Sequence, residues 1–243
     1  MDIKRLLMAA VGLVAVGGFV WLAYAFYQKT GIGDKPQLTL ENGSYLGRHA
    51  RALPEWELHD TQGADFSRQN FAGRWSFVFL GYTSCPDICP PTIMQMQRLI
   101  RFIERQDDDI EAPQMVFISV DPQHDTAERM QTFLNQFGQD VIGVLGKKQT
   151  VEVVNQFFAT HTQERENEDG VRLIDHSSKL FVINPDGRLI AMLNPPFTST
   201  ELFDAYRRIR SDHTTVARKG APIKVSKLAI GILNQGTPLL LPH

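Results

Sequence analysis

Cys85 and Cys89 are the only thiols in the chain, and both lie in the stretch GYTSCPDICPPT at residues 81–92. Four positions apart and set among Pro86, Pro90 and Pro91, they could form a disulfide, a thiol-exchange pair or half of a metal site. The bland alternative is a pair of small buried hydrophobes, a common fate of free cysteine. An apolar, β-favouring run over residues 75–82 precedes them, and an amphipathic pattern of Met94, Leu99, Ile100, Phe102 and Ile103 follows. The pair therefore falls where a buried strand gives way to a helix. Amide groups at a helix start stabilise a thiolate, and the thiolate is both the nucleophile and the metal ligand. Pro90 or Pro91 suits a first helical turn, which places Cys89 at the helix entry, while the residue before each proline is pushed from the α region. Either local geometry lets the two sulfurs share an ion or join each other. The common thiol-exchange spacing has two intervening residues; this one has three.

Two thiolates rarely complete a site, so the seven histidines bear on the choice. His49 and His59 fall in a leading segment or first strand, and His213 and His243 in the tail, where a solvated role is expected. His161 follows a helical pattern and could cap its carbonyls. His176 differs: it stands in IDHSSKLFVI, after a polar loop and directly before a strand, with Asp175 beside it. A buried, hydrogen-bonded structural histidine is the alternative there.

The elements that would position these residues can be read from the pattern. WELHD followed by TQG reads as a short strand and turn, and residues 115–120 and 141–146 as further buried strands. Residues 125–137, capped by Asp125 or Thr126, and residues 151–159 read as helices. Residues 180–183 and 189–193 flank NPDG, a β-turn sequence, and predict a hairpin; residues 198–210 predict a last helix. Alternating strands and helices imply an α/β fold with a central sheet covered on both faces.

The ends read differently. After Lys4 and Arg5, residues 6–27 carry no charge and, as a helix, would span roughly 33 Å, enough for a transmembrane anchor. The preceding positive charges leave residues 1–5 in the cytoplasm and send the rest outward. Ala23-Tyr24-Ala25 resembles a signal cleavage site, the competing reading. An Arg-rich transit peptide is absent, which favours a bacterial inner membrane with the domain in the periplasm. Residues 28–50 are Gly-rich and polar and read as a tether, residues 51–211 as the domain, and residues 212–243 as a tail whose apolar end would dock on the domain. The net charge of −2 argues against a nucleic-acid partner. In an exported, oxidising setting a close thiol pair tends toward a disulfide unless reduced or metal-bound.

GYTSCPDICPPT, FISVDPQHDT and LIDHSSKLFVINPDGRL, in this order, resemble the three motif blocks of the Sco/SenC family over residues 50–210. That resemblance implies a thioredoxin-like fold and a membrane-anchored metallochaperone that delivers copper to the copper-binding subunit of cytochrome c oxidase. It implies one copper ion, copper(I) or copper(II), held by Cys85, Cys89 and His176, with Asp121 and Asp175 beside the ligands. It also implies a Cys85–Cys89 disulfide in an oxidised form. Two soft thiolates with an imidazole suit copper(I), although zinc would accept the same set with a water. The chain departs from the family pattern in its doubled Pro90-Pro91 and in His124, which stands where an arginine is usual. His124 could thus be an extra weak ligand or a surface replacement. A thiol–disulfide reductase acting on a partner's copper-binding cysteines is the competing function. A peroxide-reducing enzyme of the same fold is a third, with no constellation beyond the cysteine to support it.

Overall fold

The computed structural model describes residues 3–30, 38–105, 110–138, 141–168, 170 and 172–220, with side chains of residues 3–11, 27–30 and 216–220 outside the description. In chain order the helices are α1 (Ile3–Thr30), α2 (Cys89–Glu104), α3 (Ala127–Asn135), α4 (Lys148–Phe158) and α5 (Ser199–Gly220). The strands are β1 (Gly43–Tyr45), β2 (Arg51–Ala52), β3 (Leu58–Asp60), β4 (Asp65–Phe66), β5 (Ser76–Gly81) and β6 (Gln114–Ser119). They continue with β7 (Val141–Gly146), β8 (Gln163–Glu166), β9 (Arg172–Asp175), β10 (Leu180–Asn184) and β11 (Arg188–Leu193).

Nine strands form one mixed sheet in the order β1-β11-β10-β5-β6-β7-β3-β4, with β2 also pairing β11. β5, β6 and β7 run parallel, and the remaining pairs are antiparallel. Every residue of β5 is buried, as its uninterrupted apolar run requires of a central strand. Phe77 and Phe79 share one face; there Phe77 meets Tyr206 of α5, and Phe117 beside Phe79 meets Phe133 of α3. On the other face Phe181 packs on Phe158 of α4 at 4.4 Å between ring centroids. Helices thus cover both faces, the mixed α/β, thioredoxin-like arrangement expected.

The thiol motif, the β6–α3 loop and the segment before β10 meet at one edge of this sheet. The parallel register pairs Gly81 with Ser119, so both following loops leave from the same end. β10 runs the opposite way, and its first residue, Leu180, pairs with Phe79 near that end of β5. Whatever immediately precedes Leu180 must therefore lie beside whatever follows Gly81.

Three expectations require correction. Part of the segment expected as a tether over residues 28–50 belongs to the fold: Leu40 and Ala50 lie in the core, and β1 pairs with β11. A Cβ on Gly43 would stand 2.5 Å from the Met192 carbonyl oxygen, so only glycine lets β1 approach. The last helix does not end at residue 210 but continues as α5 to Gly220, because its further turn still finds partners. The Tyr45 hydroxyl donates to Asp212 Oδ2 at 2.7 Å, and His213 packs edge-on against Trp75 at 5.3 Å. The polar loop before His176 contains a separate two-stranded ribbon, β8–β9, that the pattern did not reveal.

At the amino end, α1 exposes Leu13, Val14, Phe19 and Trp21. Among the described residues no helix is long and apolar enough to cross a membrane. The span expected over residues 6–27 extends beyond the described side chains, 12–26, and the apolar end expected to dock from residue 228 onward lies outside the described residues.

The placement of β1 has a measurable consequence. A fragment beginning at residue 51 should melt about 5 °C or more below one beginning at residue 38, since it loses the burial of Leu40 and the pairing of β1. Equal melting temperatures would show that residues 38–50 add nothing to the fold.

Candidate metal centre

The geometry at the shared sheet edge gathers three donors. Cys85 Sγ, Cys89 Sγ and His176 Nε2 all lie within 4.8 Å of one another, and this is the one such group among the described residues. His176 Nε2 stands 4.0 Å from Cys85 Sγ and 3.7 Å from Cys89 Sγ. A metal–sulfur bond of about 2.3 Å and a metal–nitrogen bond of about 2.0 Å, set ~120° apart, place S and N roughly 3.7 Å from each other. His176 Nε2 therefore already stands close to the separations from the two sulfurs that a single three-coordinate ion demands.

Each donor is held by a local cause. Pro90 and Pro91 occupy the opening of α2, which begins at Cys89, and Cys89 is completely buried. Its sulfur lies against Gly81, where an added Cβ would come within 2.8 Å of Cys89 Sγ and 2.7 Å of the Phe117 ring. Cys85 closes a turn by donating its amide to the Tyr82 carbonyl at 3.2 Å. The His176 ring sits edge-on between Tyr82 and Phe79, 5.6 and 6.0 Å away. Its Nδ1 is 3.0 Å from the Ser177 carbonyl oxygen. A carbonyl can only accept, so Nδ1 carries the proton and Nε2 presents a lone pair to the two sulfurs.

The two thiols, free in this structure, are not equivalent. Cys85 is drawn far below the usual thiol range, to about 3, chiefly by the hydrogen bond from Cys89 and also by the neighbouring His176 and the amides of Asp87 and Cys89, against the opposing effect of burial. Cys89 moves strongly upward because it is buried and because the neighbouring Cys85 thiolate disfavours a second negative charge. The metal-free pair thus holds one proton, on Cys89.

Of the acidic residues expected beside the ligands, Asp121 is buried and ties down the ribbon that leads to His176. Its carboxylate accepts Arg172 Nη1 at 2.6 Å and Nη2 at 3.2 Å, while Arg172 Nε reaches Glu164 at 2.5 Å. Burial alone would raise the Asp121 carboxyl, but Arg172 and His124 together hold it below its ordinary range. His124 Nδ1 lies 2.9 Å from Asp121 Oδ1 and is not among the gathered donors. Asp175 faces solvent and pairs with Arg165 at 2.8 Å, since alternation along β9 turns it away from the body while Ile174 points inward. His161 is exposed, and the α4 end is capped instead by the amides of Ala159 and Thr160.

Sequence reasoning overlooked Asp125 as more than a helix cap. Its buried carboxylate accepts the Thr83 hydroxyl and the Ser119 hydroxyl, both at 2.6 Å, and the Thr83 amide at 3.2 Å. It therefore pins the loop between β5 and Cys85 to the end of β6. A second aspartate four residues after Asp121, inside a motif already singled out, was the available signal. Thr126, not Asp125, caps α3.

A thioredoxin-like domain that offers two thiols and an imidazole at one sheet edge defines a class that handles metal ions or thiols. The chain belongs to the SCO1/SenC family, whose model matches residues 46–211. A protein of Stutzerimonas stutzeri is 32% identical over 168 residues, covering 66% of this chain and 81% of that one. The chain is similar to Arabidopsis thaliana ScoI with copper bound, at 27% identity and a TM-score of 0.59, covering 65% of this chain and 98% of that one. It is also similar to Bradyrhizobium japonicum ScoI with copper bound, at 25% identity and a TM-score of 0.57, covering 65% and 99%.

Two outcomes follow from the thiol environment. In reduced protein near neutral pH, the ultraviolet thiolate band should correspond to one thiolate, should persist to about pH 4 and should vanish in Cys85→Ser. A band of two thiolates, or one that survives that change, would refute the asymmetry. Gly81→Ala should cost about 2 kcal/mol of stability by pressing on Phe117 and on the Cys89 sulfur. Chemical denaturation with and without the change measures that loss.

Proposed function

We propose that this chain is a copper carrier that takes up one copper ion through Cys85, Cys89 and His176 and delivers it to the copper-binding subunit of cytochrome c oxidase during assembly. The observation that carries the reading is the convergence of two thiols and one unprotonated imidazole nitrogen at metal-binding separations. The softness of the set suits copper(I), and the same donors can hold copper(II). Copper bound to two similar ScoI proteins supports the choice of metal. Three protein donors leave coordination positions for the acceptor's ligands, which a carrier needs and a closed structural site lacks. Oxidation of Cys85 and Cys89 to a disulfide would remove both thiolates and with them the capacity to bind.

The proposed setting is the periplasmic face of a bacterial inner membrane, with residues 1–5 in the cytoplasm and an anchor over residues 6–27. Its support is the uncharged run behind Lys4 and Arg5, together with the exposed apolar side chains of α1. An anchored carrier would search for its acceptor in two dimensions.

A second reading rests on the low Cys85 titration. A thiolate at neutral pH backed by a protonated thiol is also the equipment of a thiol–disulfide reductase, which here would keep an acceptor's copper-binding cysteines reduced. The imidazole separates the two readings, because thiol exchange does not require it and copper retention does.

The reduced full chain should bind one copper(I). Cys85→Ser or Cys89→Ser should abolish tight binding, and His176→Ala should weaken it by about a hundredfold, the equivalent of roughly 3 kcal/mol. Because only Cys89 carries a removable proton near neutral pH, uptake should release close to one proton per copper, and affinity should rise about tenfold per pH unit. Competition with a copper(I) chelator across pH, with calorimetry in buffers of different ionisation enthalpy, reads both quantities. Unchanged stoichiometry in Cys89→Ser would overturn the copper reading. Full loss of partner-disulfide reduction in His176→Ala would count against the reductase.

A further inference from the structure

Tyr82 touches both halves of the site. It follows β5 directly and is 2% exposed. Its backbone carbonyl accepts the Cys85 amide at 3.2 Å and so closes the turn that carries the first thiol. Its ring packs at 89° against the His176 imidazole. Its hydroxyl accepts the Ile174 amide at 3.2 Å. Ile174 is two residues before His176 and sits in β9, whose strand partner among the described residues is β8. In an antiparallel ribbon alternate amides point away from the partner strand. The Ile174 amide is one that points at the body of the domain, where the Tyr82 hydroxyl receives it.

Among the described residues the ribbon has few other ties to the domain. β8 is exposed at all four positions, and neither β8 nor β9 joins the large sheet. Arg172 reaches Asp121, Ile174 is buried, and Asp175 pairs within the ribbon to Arg165. The hydroxyl of Tyr82 is therefore the backbone tether nearest His176, and the ring beside it limits how far the imidazole can tilt. A phenylalanine would keep the ring contact and the core volume while leaving a buried amide without a partner.

We infer that Tyr82 is a positioning residue for copper uptake: its hydroxyl, through Ile174, holds the His176 imidazole over the two cysteine sulfurs. The inference rests on the copper reading above, and it assigns to a side chain that binds no metal the decision whether the third ligand engages. The Tyr82 hydroxyl also neighbours the Cys85 thiol, so part of its influence can reach the sulfurs directly; the part proposed is the one that passes through His176.

A double-mutant cycle on the full chain tests this. Copper(I) affinity is measured by chelator competition for the unmodified protein, Tyr82→Phe, His176→Ala and the combination. Amide exchange at residues 172–177 and the melting temperature are recorded alongside. Tyr82→Phe should weaken copper binding roughly tenfold, as loss of an outer hydrogen bond typically does. The same change should cost clearly less affinity when His176 is already alanine, what remains being the hydroxyl's direct contact with Cys85, and it should speed exchange at Ile174. Equal affinity in the unmodified protein and Tyr82→Phe would overturn the proposal while leaving the copper reading intact. An equal loss in both backgrounds would also overturn it, since no part of the effect would then pass through His176. Absence of copper uptake by the unmodified chain would overturn both readings together.

Discussion

The antiparallel docking of β10 on β5, next to the parallel pair β5–β6, is the constraint on which the site depends. It brings the start of one strand against the ends of two others, so that residues 85, 89, 121, 125 and 176 share one edge despite their separation in sequence. The register is set by packing that has no part in the chemistry. Phe181 enters the face occupied by Phe158, and Leu180 pairs with Phe79 on the other. Because side chains alternate, a slip by one residue would exchange these two faces and expel both from their places. The apolar core therefore fixes where the imidazole-bearing segment begins, and the distance from Leu180 to His176 does the rest.

Two buried carboxylates carry this convergence from backbone to side chains. Asp121 and Asp125 both leave the loop after β6, yet they serve opposite halves of the site. Asp125 takes the Thr83 hydroxyl and amide, which fixes the approach to Cys85; Asp121 takes the Arg172 guanidinium, which fixes the approach to His176. Ser119 joins them, donating its hydroxyl proton to Asp125 and accepting the Asp121 amide at 3.1 Å. Burying a carboxylate is costly unless it is paired or hydrogen-bonded, and both are. The arrangement is stiff for the same reason, since moving either loop would strand a charge.

The thiol pair was legible because cysteine is scarce in this chain and sits at a strand–helix junction, where ligand chemistry collects; His176 stood out by its place before a strand, but its pairing with the thiols came only with the family resemblance. The buried strands were legible because continuous apolar runs have few alternatives. The ribbon β8–β9 was not: QERE and the residues around it alternate nothing apolar, since the strand is exposed throughout and its stabilising contacts are ion pairs such as Arg165–Asp175. The leading segment was misread for a related reason. Gly43 reads as flexibility in a sequence, but here it is required for close approach to β11, and the single buried Leu40 carries little pattern. The extension of α5 was hidden because His213 and Asp212 look solvated until Trp75 and Tyr45, distant in sequence, are placed beside them. Asp175 was misplaced by adjacency: a neighbour in the sequence of a strand points to the opposite side.

The site is thus unequal in its supports. Cys85 and Cys89 belong to the β5–α2 junction, where both cysteines and the preceding Gly81 and Tyr82 are buried although Ser84, Pro86 and Asp87 are exposed. His176 belongs to the connection between an exposed ribbon and β10, a region with little buried apolar surface of its own. Local opening free energy follows buried contact, so the imidazole is the donor that can leave at least cost. Under the proposed function this inequality suits a carrier. Two fixed sulfurs retain the ion while the third ligand exchanges, and an incoming donor from the acceptor can take the vacated position before either sulfur lets go. A site with all three ligands on the rigid junction would bind as well and deliver poorly; a site with all three on the ribbon would lose its metal to solvent. Under that proposed function, dividing the donors between the buried junction and the segment that follows the ribbon would reconcile holding with handing on.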